Sequence, residues 1–343
     1  MWPYWLMYLI PVLAALSAGN KERPWGPWLA FGFFLTICIG FRFQVGGDWN
    51  NYLPYYNQEI GKALFAPISG DPGYVFLNRL MALWGWKIYG VNLFCGLIFT
   101  IGLTIFCRGL YHSWLGMAVA VPYLVIVVAM GYSRQGVAIG FIFWGLAYLE
   151  KGRFLHYVLF IAAASLFHQT AIIMIPLGIF LYRHGWWYRI MATLLVAFGL
   201  WNTLVVDDVN HLWAAYVEQK MYSQGAVVRV AMNCVAAIIL LRYWKQWKQI
   251  YPNALLWLWM SFGAIACVFL VRFATTAVDR LALYLIPLQV VVFSRLPFLS
   301  RKEYHPYSMT LWIVFGYGVV LFVWLHFAAH AKYWLPYRNI LFE

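Results

Sequence analysis

Charge is what this sequence has least of. Only 10% of its 343 residues are Asp, Glu, Lys or Arg, and 11 are acidic. A water-soluble globule usually carries about a quarter of its residues charged, so a soluble fold is excluded and lipid must form part of the solvent. Cysteine is sparse too: Cys38, Cys95, Cys107, Cys234 and Cys267 lie in or beside apolar runs, without CxxC or Cys/His ligand spacing. Neither disulfides nor a metal site is expected from them, and no cofactor is implied. Carboxylates are almost missing from the apolar runs, which argues against an ion channel or proton-coupled carrier. No stretch between the runs is large enough for a separate soluble domain, so residues 1–343 read as a single transmembrane domain.

What is abundant is apolar and aromatic surface, at 64% and 20% of the residues. Runs such as Trp28–Phe41, Trp114–Tyr132, Ile190–Val206, Ala254–Val271 and Met309–Leu325 approach or exceed the length needed to cross roughly 30 Å of hydrocarbon. Trp2–Leu16 lacks a basic n-region, contains Pro3 and Pro11 and leads into further apolar runs, so a permanent span is expected there instead of a cleaved signal. The expected fold is all-α and polytopic, with about 12 transmembrane helices and one re-entrant or interfacial helix.

The net charge of +13 is scattered over short loops and forms no single stripe, so membrane topology accounts for it and nucleic acid is not an expected partner. Basic loops at Asn20–Arg23, Glu150–Arg153, Arg183–Arg189, Arg242–Lys248 and Arg295–Lys302 are expected on the cytoplasmic side. The alternate connections hold most of the acids: Asp48, Glu59 and Asp71, then Asp207, Asp208 and Glu218, then Asp279. Those connections are expected outside, in the periplasm of an inner-type membrane. The same alternation requires Phe154–Leu181 to be two short helices turning near His168, places Ser133-Arg134-Gln135 at an outer turn, and makes Gly73–Lys87 the re-entrant or interfacial helix.

Candidate functional residues collect on that outer side. The loops at 42–72 and 207–225 are rich in aromatics, including Trp49, Tyr52, Tyr55, Tyr56, Trp213, Tyr216 and Tyr222. Sugar rings stack their C–H faces on such side chains, although an interfacial aromatic belt has the same composition. Arg42, Arg134, Arg272 and Arg280 lie at the outer ends of apolar runs, and none of the four is lysine. Arginine keeps its charge in a dry site and grips phosphate bidentately, so the group fits a lipid-linked phosphate or diphosphate. The plainer alternative for any one of them is ion pairing, as with Arg280 beside Asp279 or Arg42 with Asp48. His326 and His330 stand four apart but lack a third ligand, so they are not read as a metal site.

The run Phe41-Arg42-Phe43-Gln44-Val45-Gly46-Gly47-Asp48 with Tyr52, then Asp71-Pro72-Gly73-Tyr74, Arg134-Gln135, Phe167-His168-Gln169-Thr170-Ala171, Tyr216 with Tyr222, Arg280 before Tyr284, and Pro336-Tyr337 follow one another along the chain. In that order and spacing they resemble the EpsG family of Wzy-type polysaccharide polymerases, with Gly47 standing where the family usually has Thr. The resemblance implies a GT-C-like fold. It also implies transfer of a growing glycan from undecaprenyl diphosphate onto an undecaprenyl-diphosphate-linked repeat unit, on the outer side of a bacterial inner membrane. A chain-length-determining co-polymerase is a partner implied in the same way.

Such a transfer must neutralise the departing diphosphate and take the proton of the acceptor hydroxyl. No acidic pair has metal spacing, so a metal-independent glycosyltransferase is expected, with Arg42, Arg134, Arg272 and Arg280 binding diphosphate. Asp48 and His168 are both candidate proton acceptors, and Tyr52, Gln135, Tyr216 and Tyr222 are candidate glycan contacts. An O-antigen ligase would share the donor but usually carries a larger outer loop than 207–225. A lipid-linked oligosaccharide flippase would call for a cationic cavity near mid-membrane and an internal repeat, and neither is evident.

Overall fold

The computed structural model describes residues 1–17, 24–68, 70–181, 186–202, 225–301 and 303–343. Tyr216 and Tyr222, with the rest of 207–224, lie outside the described residues, as do Lys21, Arg23, Arg183 and Lys302. Among the described residues the fold is all helical, with no β-ladder beyond one isolated bridge between Arg42 and Asn339.

Helices α1 (Trp2–Ser17) and α2 (Trp25–Gly40) are followed by the short α3 (Trp49–Asn57) and by α4 (Pro72–Leu83). Next come α5 (Lys87–Gly109), α6 (Ser113–Ala120), which runs on as a π-helical stretch over Val121–Ala129, and α7 (Ser133–Glu150). After them stand α8 (Phe154–Phe167), a 3₁₀ segment over Gln169–Leu181, and α9 (Trp186–Leu200). The remainder is α10 (Ala226–Arg242), α11 (Trp244–Ile250), α12 (Ala254–Leu270), α13 (Thr275–Leu285), α14 (Pro287–Leu299) and α15 (Pro306–Phe327). Prolines punctuate this order where a missing N–H costs least: Pro72, Pro287 and Pro306 each occupy a first helical turn. Pro287 also marks the 43° bend between α13 and α14, and α10 turns by 77° into α11.

Two of these helices, α5 and α15, are long and apolar enough to cross a membrane, and each bent pair meets the same test when taken together. Seven shorter apolar helices of 10–17 residues accompany them. Their outward faces stay apolar: Leu13, Phe33, Leu159, Leu195, Phe198, Trp312 and Phe315 are all exposed. Water would not tolerate that much continuous apolar surface on a monomer, so the molecule is membrane-embedded.

Packing around α5 and α7 positions the candidate site. A Cβ on Gly102 of α5 would stand 1.9 Å from the Gly140 carbonyl of α7, so the two backbones touch where only glycine fits. That crossing holds α7, whose 18 residues extend about 27 Å. Its first turn carries Ser133, Arg134 and Gln135; its last residue, Glu150, accepts from Arg295 (3.1 Å) and from the Trp257 indole (3.1 Å). A second apolar cluster, formed by Trp49, Tyr52, Tyr74, Leu77, Ile88, Val91 and Val137, seats α3 and α4 against α5 and α7. The loop between α3 and α4 is tied down by buried Arg79, which bonds Glu59 (2.7 Å) and the carbonyls of Leu64, Ala66 and Pro67.

The helix expected over Gly73–Lys87 is α4, separated from α5 by Trp84–Trp86. The turn near His168 is present as the C-terminal cap of α8, where His168 takes an extended backbone (φ −156°, ψ 106°).

Candidate active site at the ends of α3, α7, α8 and α13

Asp48 begins α3, Arg134 lies in the first turn of α7, His168 caps α8 and Arg280 sits midway along α13. Sequence separations of up to 232 residues (Asp48 to Arg280) collapse here into one electrostatic neighbourhood, because the charges of both Arg134 and Arg280 act on both Asp48 and His168. Burial pushes the Asp48 carboxyl above its ordinary value, while Arg280, Arg134 and the Asn51 amide pull it back. His168 has no such balance: burial drives its imidazole well below the ordinary value, and both guanidinium charges add to the drop. It is therefore neutral at pH 7 and can accept a proton.

The two arginines are held by different means. Arg134 donates to Asp71 Oδ2 at 2.9 Å, its backbone N–H lies 3.4 Å from the Tyr52 hydroxyl, and its guanidinium stands 6.0 Å and 5.8 Å from the centres of the Tyr52 and Tyr55 rings. Its side chain is still 39% exposed, so donors remain for a ligand. Arg280 donates to Gln135 Oε1 at 2.6 Å, receives the Gln135 amide on its own carbonyl at 3.3 Å and stacks over Tyr132 at 5.4 Å. Asp71 also accepts the backbone N–H of Gln169 at 3.2 Å, joining the starts of α4 and the 3₁₀ segment beside His168.

Arg42 is placed differently. It is 2% exposed, and its guanidinium donates to the Ile39 carbonyl (2.5 Å), the Val45 carbonyl (3.2 Å), Asn92 Oδ1 (3.1 Å) and Ser133 Oγ (2.7 Å). The pairing of Arg42 with Asp48 considered from sequence does not form, because the Ile39 carbonyl left open at the end of α2 and the Val45 carbonyl of the following loop draw the guanidinium inward. Asp279 likewise does not pair with its neighbour Arg280 but takes a bidentate contact from Arg229 of α10, which also reaches the Tyr123 hydroxyl. Tyr52 and Gln135, expected against glycan, are buried and turned to Arg134 and Arg280. Arg272 is exposed in the turn after α12.

Four participants are not picked out by the sequence. Asp71 stands there as a loop acid and a motif member, and Thr170 and Tyr284 as motif members alone, yet Thr170 Oγ1 lies 2.8 Å from His168 Nδ1 and 2.9 Å from the Tyr284 hydroxyl. Arg229 had a usable signal, since a lone arginine in the apolar run of α10 needs a partner. Among the described residues no group of three His, Cys, Asp or Glu is arranged to hold a metal ion.

The loop from Arg42 to Asp48 is braced by the segment after α15. Phe43 N–H bonds the Arg338 carbonyl (3.0 Å), Ile340 N–H bonds the Phe41 carbonyl (2.9 Å), and Gly46 N–H bonds the Tyr333 carbonyl (2.9 Å). Comparison with curated proteins and with solved structures gives no match. The model of the EpsG family matches residues 27–339, nearly the whole chain. Since that match takes in both the Asp48 loop and the segment that braces it, the chain belongs to the EpsG family, a family of Wzy-like polysaccharide polymerases.

Proposed function

We propose that this chain polymerises lipid-linked glycan repeat units at the periplasmic face of a bacterial inner membrane, passing through that membrane about a dozen times. The donor is a glycan on undecaprenyl diphosphate and the acceptor a hydroxyl of a second undecaprenyl-diphosphate-linked unit. The product is O-antigen or another surface polysaccharide. One arrangement carries this reading: Asp71 joins Arg134 (2.9 Å) to the Gln169 N–H (3.2 Å) beside His168, Thr170 joins His168 (2.8 Å) to Tyr284 (2.9 Å) one turn from Arg280, and the charges of both arginines act on Asp48 as well. A departing diphosphate and a hydroxyl losing its proton need those two kinds of group side by side.

In this scheme the acceptor oxygen bonds to the anomeric carbon as the carbon–oxygen bond to diphosphate breaks, and the electron pair of that bond leaves on the diphosphate. Arg134 and Arg280 neutralise it. Neutral His168 takes the hydroxyl proton, and Asp48 orients the attacking sugar through its hydroxyls. Asp71, Tyr52 and Gln135 hold the two arginines, Arg42 holds the loop, and no metal is required for these steps. Arg272 would add to diphosphate binding, Tyr216 and Tyr222 would contact the glycan, and a chain-length co-polymerase would act beside the polymerase.

The test is deletion of the gene in its own host, complementation with wild type, Arg134→Ala or His168→Ala, and resolution of the surface glycans by gel. A ladder that collapses to a single repeat unit and returns only with wild type supports the proposal. An unchanged ladder overturns it, and loss of the single-unit form as well assigns the chain to ligation or flipping.

A further inference from the structure

A buried histidine that takes a proton on one ring nitrogen needs a hydrogen-bond acceptor at the other, because in the imidazolium both nitrogens are donors. At His168 the partner of Nδ1 is Thr170 Oγ1, at 2.8 Å, and Thr170 Oγ1 lies in turn 2.9 Å from the buried Tyr284 hydroxyl. Among the described residues Nε2 has no hydrogen-bond partner. We infer that Thr170 and Tyr284 are positioning residues that fix the ring and tautomer of His168, so that Nδ1 carries the resting proton and Nε2 accepts the proton of the attacking hydroxyl. This rests on the polymerase reading for the identity of the hydroxyl, but not for the tautomer.

The three groups come from three elements, the cap of α8, the 3₁₀ segment and α13. Thr170 is the second residue of the 3₁₀ segment, and the N–H of Gln169, its first, is anchored on Asp71 Oδ1 at 3.2 Å. Tyr284 and Arg280 stand four residues apart on α13, one turn along the same face. One face of α13 therefore presents a charge toward Asp48 and His168 and a hydroxyl to the back of the imidazole. The Tyr284 and His168 rings meet edge to face, with centres 6.3 Å apart and planes at 83°, which opposes ring rotation.

The proton count has one consistent direction for catalysis. With Nδ1–H donating to Thr170 Oγ1, the Thr170 hydroxyl donates to the Tyr284 oxygen and Nε2 keeps its lone pair. In the opposite direction Thr170 donates to Nδ1, the ring proton sits on Nε2, and no base faces the substrate. When Nε2 takes the proton, Nδ1–H goes on donating to Thr170, so the imidazolium keeps an acceptor although Arg134 and Arg280 disfavour its charge. The hydroxyl chain thus offsets part of the repulsion that two guanidinium groups impose on a third cation.

The experiment is solid-state NMR of the full chain in lipid bilayers with ¹⁵N-labelled histidine, His168 being assigned by difference from His168→Asn. The expected wild-type signal has Nδ1 protonated and Nε2 bare. Thr170→Ser keeps it, whereas Thr170→Val and Tyr284→Phe give mixed tautomers. In a polymerisation assay Thr170→Val and Tyr284→Phe lower kcat by about 10-fold to 100-fold with KM unchanged, and Thr170→Ser restores it. A wild-type signal with Nε2 protonated overturns the inference, as do tautomers unmoved by both variants or an unchanged kcat in both. Failure of the gene-deletion test with the tautomer as stated would reject the polymerase reading alone.

Discussion

Arg134 Nη1 lies 2.9 Å from Asp71 Oδ2, across 63 residues of sequence, and this contact ties the start of α7 to the start of α4 at the candidate site. Asp71 is 6% exposed and serves the Gln169 N–H with its other oxygen, so one carboxylate aligns both the guanidinium and the turn that carries His168. Asp71→Ala is expected to abolish the glycan ladder and to lower stability by about 1–3 kcal/mol, because the buried Gln169 N–H loses its bond to Asp71 and Arg134 loses its carboxylate. Asp71→Asn keeps one acceptor but loses the charge, and should retain stability better than polymerisation. Gel analysis of surface glycan alongside thermal unfolding of the purified protein checks both.

Arg42 is expected to behave as a structural cation. Arg42→Ala would strand the Ile39 and Val45 carbonyls and leave Asn92 Oδ1 and Ser133 Oγ with only each other (3.1 Å), costing about 2–5 kcal/mol. Arg42→Lys should recover little, since an ammonium cannot reach four acceptors spread around a planar fork. Thermal unfolding in detergent reads the loss directly, and unfolding curves matching wild type would refute it.

The helical class and the turn at His168 are legible in the sequence, because apolar run lengths and the alternation of basic loops constrain the chain's crossings one by one. The site was legible only as residue types. Nothing local to Asp71 says that its partner is Arg134, and nothing local to Asp279 says that Arg229 lies closer than Arg280, since both depend on how helices far apart in sequence are rotated and stacked. Arg42 shows the same limit: an arginine at a helix end looks alike whether it faces a ligand or caps carbonyls.

The turn before Asp48 offers a contrast between adjacent glycines. Gly46 has φ +113°, and a Cβ there would meet the Met130 carbonyl at 2.3 Å; at Gly47 the nearest atom is 3.5 Å away, on Trp334. Gly46→Ala is expected to destabilise by more than about 2 kcal/mol and to disturb Asp48. Gly47→Ala should be neutral or stabilising by about 0.4–1 kcal/mol through the unfolded chain. Thermal unfolding of the two variants side by side decides this.

His168 gives a pH dependence of defined sign. Its folded value lies below its unfolded value of about 6.5, so in the window between them the unfolded chain holds the proton and the folded chain does not. Its neutral state costs no stability above that window, and stability falls as pH drops from about 6.5 toward the folded value, by up to about 1.4 kcal/mol per pH unit. His168→Asn lacks this titration, so the stability of wild type minus that of His168→Asn should fall as unfolding is measured from pH 7.5 down to pH 5. A difference curve flat across that range would show that the imidazole is not held neutral.

Arg229 and Asp279 supply the sharpest test of the packing beneath the site. The pair is buried and bidentate, joins α10 to α13, and lies one residue from Arg280. Removing one partner leaves the other charged in an apolar interior, so Asp279→Asn or Arg229→Met should each cost about 3–5 kcal/mol. Removing both, as Arg229→Met with Asp279→Leu, eliminates the stranded charge and should cost clearly less than the two single changes added together. If the pair also sets the rotation of α13, the double variant will unfold near the wild-type temperature yet polymerise poorly, because Arg280 turns with the helix. Full activity in a stable double variant would show instead that Gln135 and Tyr132 alone are enough to place Arg280.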